Sequence, residues 1–138
     1  MRFESDPAMN GDIDRLGCER RVRERIGQQY GVQLEKRKLV VGHRTIGVDV
    51  LHEFDGVSPD TQFVVECKSN YLNTSKGPRG RYDSAIKPAL VLDLYMLSRV
   101  KAQKKLLVLT DRPLFDLCSA DMDGLLAPDT EIVYCPGD

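Results

Sequence analysis

The chain has 138 residues, 41% hydrophobic and 30% charged, with 20 Lys+Arg against 21 Asp+Glu and a formal net charge of −1. That length suits one ordinary domain whose core needs no disulfide or structural metal, and it excludes a second full domain. No apolar run approaches the roughly 18 residues of a membrane span and the N-terminus lacks the apolar core of a secretory signal, so a cytoplasmic protein is expected. The near-neutral charge gives the whole molecule no strong pull on polyanions, which leaves any such role to local patches.

Residues 1–11, with Pro7 and Asn10-Gly11, are expected to form a flexible arm ahead of a single domain at 12–138. From Asp12, an N-cap candidate, Ile13, Leu16, Val22, Ile26 and Tyr30 recur at helical spacing up to Gly31, predicting an amphipathic helix of about five turns. Its other face carries Arg15, Arg20, Arg21, Arg23 and Arg25 with Glu19 and Glu24, for which a solvated face is the simpler reading.

A strand is predicted over 32–41, ending in the turn Gly42-His43-Arg44, and a second over 46–54. The cluster from Asp55 to Asp60 reads as a turn, with Asp55 capping it, and a third strand follows over 62–69. Three neighbouring strands joined this way make an antiparallel meander. Residues 70–87 read as a long basic loop, bracketed by Tyr71 and Tyr82. A mostly buried helix over 85–100 then leads to the apolar run 106–110, typical of a central strand covered on both faces. Asp111 is explained by capping or turn formation. A short helix over 116–122 and a last strand over 131–134 complete the order α, β, β, β, α, β, α, β, an α/β fold with a mixed β-sheet flanked by helices.

Cys18, Cys67, Cys118 and Cys135 are widely separated and form no CxxC pair, so reduced, mostly buried thiols are expected in place of a zinc knuckle. The sharper feature is Gly47-Val48-Asp49-Val50-Leu51 on one strand and Phe63-Val64-Val65-Glu66-Cys67-Lys68-Ser69 on the next. Side chains alternate along a strand, so Glu66 and Lys68 share one face while Cys67 packs on the other. If the strands pair as a hairpin, Asp49 sits beside Glu66. Two carboxylates so close repel unless a hard cation neutralises them, and oxygen ligation suits Mg²⁺ or Mn²⁺, with the Cys67 backbone carbonyl as a further ligand. Lys68 would orient the attacking water or stabilise charge on a phosphate in flight. His52, on the face opposite Asp49, reads as packing, His43 as surface, and Glu53 as solvated.

An acidic residue on a strand, a turn and then Glu-x-Lys on the next strand resembles the PD-(D/E)xK nuclease superfamily, with Asp49, Glu66 and Lys68 at the three signature positions. Gly17-Cys18-Glu19-Arg20 before the hairpin is similar to archaeal Holliday-junction resolvases and Mrr-like restriction endonucleases, with Glu19 at their helix glutamate. The match covers roughly residues 12–110 as a pattern. Val48 stands where the motif nominally has proline, and no Gln-x-x-x-Tyr follows in the later helix, which argues against the subgroup related to RecB nucleases. The resemblance implies a restriction-endonuclease-like core and metal-dependent DNA cleavage leaving a 5′-phosphate. In it Asp49 and Glu66 hold the metal, Glu19 assists through a second metal or its shell, and Lys68 serves the water.

Lys76, Arg79 and Arg81 in the loop and Arg20 and Arg23 on the first helix are the candidate DNA contacts. A homodimer fits the two strands of a duplex. The rival expectation is a catalytically inactive nucleic-acid-binding or assembly subunit that keeps the nuclease fold.

Overall fold

The structure, a computed structural model, describes residues 7–69 and 86–138, with side chains in the first helix from residue 16 onward. Lys76, Arg79, Arg81, Tyr71 and Tyr82 lie outside the described residues. The order along the chain is α1 (Pro7–Tyr30), β1 (Glu35–His43), β2 (Asp49–Val57), β3 (Phe63–Lys68), α2 (Ile86–Ser98), β4 (Lys104–Leu109), α3 (Arg112–Asp121) and β5 (Thr130–Tyr134). The strands form one sheet in the order β1-β2-β3-β4-β5, antiparallel from β1 to β3 and parallel from β3 to β5. The expected meander and mixed α/β sheet are therefore present, with α2 as the crossover that a parallel β3–β4 pair requires.

α1 begins at Pro7, upstream of the Asp12 cap candidate, and a proline in the first turn costs nothing because its N–H would lack a partner there anyway. It ends as predicted at Gly31, whose φ of +69° suits glycine, while Val32 N–H returns to Gly27 C=O at 2.9 Å. Gly27 is fixed by the same closure, since a Cβ there would lie 2.7 Å from the Val32 carbonyl oxygen.

Val22 and Ile26 are buried from α1 against Leu34, Phe63, Val65, Leu106, Val108 and Cys135 on one face of the sheet. Leu16, expected to join them, is 58% exposed. The opposite face buries Phe54, Val57, Val64, Leu107 and Leu109 under Ile86, Leu90 and Leu97 of α2 and Leu114 and Cys118 of α3. Each such side chain contributes about 1.5–3 kcal/mol relative to exposure. Leu106, Leu107, Val108 and Leu109 are each 0% exposed, so β4 is the central strand its continuous apolar run predicts.

α2 departs from expectation. Only its Ile86, Leu90, Asp93 and Leu97 stripe is buried, while Val91, Leu92 and Tyr95 are exposed because α2 covers the sheet with one face. α3 starts earlier than predicted, capped by Asp111, whose carboxylate accepts from Leu114 N–H at 3.1 Å. Among the described residues no helix is long and apolar enough to cross a membrane.

Candidate functional site

β3 gives the site its frame. Its parallel ladder to β4 is continuous from Phe63↔Lys104 to Lys68↔Leu109. Alternation puts Val65 in the α1-side core and Val64 in the α2-side core, so Glu66 and Lys68 face α2. Cys67 packs on the α1 side, and burial pushes its thiol well above the ordinary range, as a packing residue requires.

β2 differs from the sequence reading. Asp55 and Gly56 belong to the strand, and the turn lies farther on, where Ser58 Oγ donates to Asp60 at 2.6 Å and Thr61 takes a φ of +60°. Opposite β1, the pairs Glu35↔Val57 and Arg37↔Phe54 leave β2 one residue longer than its partner, a bulge at Asp55-Gly56. Bulges re-aim side chains, and this one has Gly56 at its centre because a Cβ there would lie 3.3 Å from Leu34 Cβ and 3.4 Å from Val65 Cβ.

The β2–β3 ladder holds only Gly56↔Val65 and Val57↔Val64. At the next position the Asp55 carboxylate replaces a ladder carbonyl, its Oδ2 accepting from Cys67 N–H at 2.7 Å. The acidic partner of Glu66 is therefore Asp55. Asp49 lies at the far end of β2, separated by about 20 Å of strand at 3.3 Å per residue. There it is 54% exposed, with Oδ1 2.7 Å from His43 Nδ1, so the expected Asp49–Glu66 juxtaposition is replaced by Asp55–Glu66.

Further charged groups converge on the same end of β3. Lys68 Nζ is 3.0 Å from Asp93 Oδ2 of α2, and His52 Nε2 is 3.0 Å from Glu66 Oε2. His52 also packs edge-on against Phe54, with ring centroids 4.7 Å apart, so it is both a packing residue and a partner of the site. Glu19 of α1 is 3.3 Å from Lys36 of β1, its side chain 16% exposed.

Burial raises the Asp55 carboxyl above its ordinary range, opposed by the Cys67 N–H, while Glu19 and Asp93 add repulsion and Lys36 relieves it. Glu66 is pushed up to about 9, chiefly by burial and then by Asp55 and Asp93, against the pull of the Asp55 N–H and Lys68. Burial and the neighbouring carboxylates thus both disfavour the ionised form of Glu66, the condition that a bound cation would relieve.

α1 spends most of its arginines on structure. Arg23 Nη1 donates to the Asp55 carbonyl at 3.1 Å, Arg21 Nε to the Gly137 carbonyl at 2.6 Å, and Arg25 holds the carbonyls of Pro136 and Asp138. Arg20 is exposed and, with Arg23, Glu24, Gln28, Gln33 and Leu34, lines an open groove of about 610 Å³ between α1 and the start of β1.

The donor set suits a hard cation. Among the described residues no three His, Cys, Asp or Glu side chains stand as a ready-made cage. Mg²⁺ needs none, since it keeps several waters and takes one or two carboxylates. Asp55 and Glu66 would supply those. The Cys67 carbonyl turns toward β2, the same neighbour as its N–H, and so faces the Asp55 side.

Asp55 was obscured in the sequence by Asp-Gly, the strongest of turn signals, and Lys36 by its basic neighbours Arg37 and Lys38. Asp93 did leave a signal, as the single acid in the otherwise apolar stretch Leu90–Leu97. No family model matches the chain, and neither a curated protein nor a solved structure is similar enough to count as a relative.

Proposed function

We propose that the protein is a divalent-metal-dependent deoxyribonuclease of restriction-endonuclease-like architecture, with Asp55, Glu66 and Lys68 as its signature residues. The observation that carries this reading is the bond from Cys67 N–H to the Asp55 carboxylate. It sets an acid from one strand beside Glu-x-Lys on the next, with both carboxyls raised by burial. The antiparallel meander leading through a helix to a parallel strand supports the same reading. A buried, mutually repelling pair of carboxylates is costly to keep without a charge to meet it.

In this reading Asp55 and Glu66 hold Mg²⁺ or Mn²⁺, which supplies Lewis acidity toward the scissile phosphate. Lys68 donates hydrogen bonds to the water or to the phosphate oxygens as charge gathers there. Asp55 is aimed by the Cys67 N–H and Glu66 by His52 and the Asp55 N–H. Glu19, tied to Lys36, adjusts the field at Asp55 from α1. Lys36, whose charge acts on Asp55, and Arg20, exposed on the groove beside α1, are the phosphate contacts proposed for DNA.

The test is cleavage of duplex, branched and single-stranded DNA with and without Mg²⁺ or Mn²⁺, by wild type, Asp55→Asn, Lys68→Ala and Asp49→Ala. Cleavage that needs metal, fails in the first two variants and persists in the third is expected. DNA binding without cleavage by any of the four would replace this reading with an inactive binding subunit.

A further inference from the structure

α2 carries one acid. Asp93 lies on the buried stripe with Ile86, Leu90 and Leu97, 9% exposed, where the other buried residues of the helix are all apolar and a leucine would serve packing as well. A buried ion pair gives little stability over a well-packed apolar residue, so packing does not account for the carboxylate. Its geometry does: Asp93 Oδ2 stands 3.0 Å from Lys68 Nζ, and the two side chains are only 12% and 24% exposed.

A lysine ammonium sits on a flexible four-carbon stem with three donors and no preferred direction of its own. Lys68 is fixed at its base by the β3–β4 ladder, where its carbonyl accepts from Thr110 N–H at 3.3 Å. Asp93 fixes the other end from a different element. One donor is engaged, and alternation along β3 puts the ammonium on the face of the strand that carries Glu66.

We infer that Asp93 is the positioning residue of Lys68, holding its ammonium from α2 at the height of Glu66 so that its two free donors meet the reacting group. This rests on the nuclease reading, with Lys68 as its donor. A residue that positions a donor changes the chemical step by more than it changes the binding of metal or DNA, although the charge of Asp93 also acts on Asp55 and Glu66. Misplacement of a catalytic group by about 1 Å costs on the order of 10–100-fold in rate.

The experiment uses the full chain as wild type, Asp93→Asn and Asp93→Leu, the leucine variant guarding against an orphaned polar group in the asparagine one. Four quantities are read for each: kcat on the DNA that wild type cuts, DNA affinity, Mn²⁺ affinity by calorimetry, and the midpoint of thermal unfolding. The last is also read in combination with Lys68→Ala as a double-mutant cycle. Expected are a kcat lower by about 10–100-fold in both variants, an unchanged DNA affinity, a change in Mn²⁺ affinity too small to account for that loss, and non-additive unfolding midpoints for positions 68 and 93.

A kcat equal to wild type, a loss of Mn²⁺ affinity that accounts for the loss of rate, or additive midpoints each overturn the inference while the nuclease reading stands. A wild type that cuts no DNA with either metal overturns the nuclease reading itself, and this inference with it.

Discussion

Replacing Glu66 by glutamine should stabilise the metal-free protein at neutral pH. The carboxyl is 7% exposed and is pushed from an ordinary 4.5 up to about 9 in the fold. The folded state therefore keeps a proton that the unfolded chain has lost across that interval, and the native state binds more protons. Stability from this group is complete below pH 4.5 and is lost as pH rises toward 9. At about 1.4 kcal/mol per pH unit, the loss by pH 7 is about 3 kcal/mol, and it continues above that. Glutamine is isosteric and uncharged, can accept from the Asp55 N–H and donate to His52 Nε2, and removes the penalty. Urea unfolding from pH 5 to pH 9 with a chelator present is the assay. Glu66→Gln should exceed wild type by about 1–3 kcal/mol at pH 7, with the gap widening upward in pH. Saturating Mn²⁺ should narrow it by stabilising wild type, by about 2.7 kcal/mol at a hundredfold excess over Kd. A glutamine variant less stable than wild type at pH 7, or two pH profiles that run parallel, would refute the reasoning.

Three further outcomes are expected. Asp55→Ala removes the acceptor of a buried strand N–H and should cost about 1–3 kcal/mol in urea unfolding, whereas Asp55→Asn keeps an acceptor and should cost much less while still abolishing cleavage. Asp49→Ala, at an exposed strand end, should stay within about 0.5 kcal/mol of wild type by the same measurement and leave any cleavage rate essentially intact. Gly27→Ala gains helix propensity yet drives a Cβ against the Val32 carbonyl oxygen. Net destabilisation of about 1 kcal/mol or more is expected, with earlier loss of helical circular dichroism on heating.

Why some of this was legible and some was not follows from the kinds of signal the residues carry. Val22 and Ile26, the Gly31 stop, and the run from Leu106 to Leu109 report their surroundings through local periodicity and hydrophobicity, and each lies where that predicts. Glu66 and Lys68 on one face with Cys67 on the other follows from alternation alone. The second carboxylate does not. Asp55-Gly56 has the composition of a turn, and only the pairing of β2 with both neighbours, with a bulge toward β1, makes it strand. Once the turn moves to residues 58–61, the acid nearest Glu66 changes from Asp49 to Asp55. Asp93 and Lys36 reach the site from other elements, and no local spacing encodes such meetings. The arginines of α1 were legible as a cluster, but their division between Arg23 at the site and Arg21 and Arg25 on the last residues depends on where those residues return in space.

The short ladder between β2 and β3 makes a mechanical seam. On one side lies the β1–β2 hairpin, carrying Asp55; on the other lies the slab of β3, β4 and β5, carrying Glu66 and Lys68. A load applied to the hairpin is passed to the slab through two ladder pairs, the Ser58–Phe63 bonds at the turn and two side-chain bonds, Asp55 to the Cys67 N–H and His52 to Glu66, while β3 itself is anchored along its whole length to β4. Shear along the seam would draw Asp55 away from Glu66 and, because Phe54 and Val57 pack with Val64 across it, would load the α2-side core as well. The Cys67 amide proton is thus a built-in strain gauge, and its exchange with solvent should quicken before that of the Val108 amide in β4.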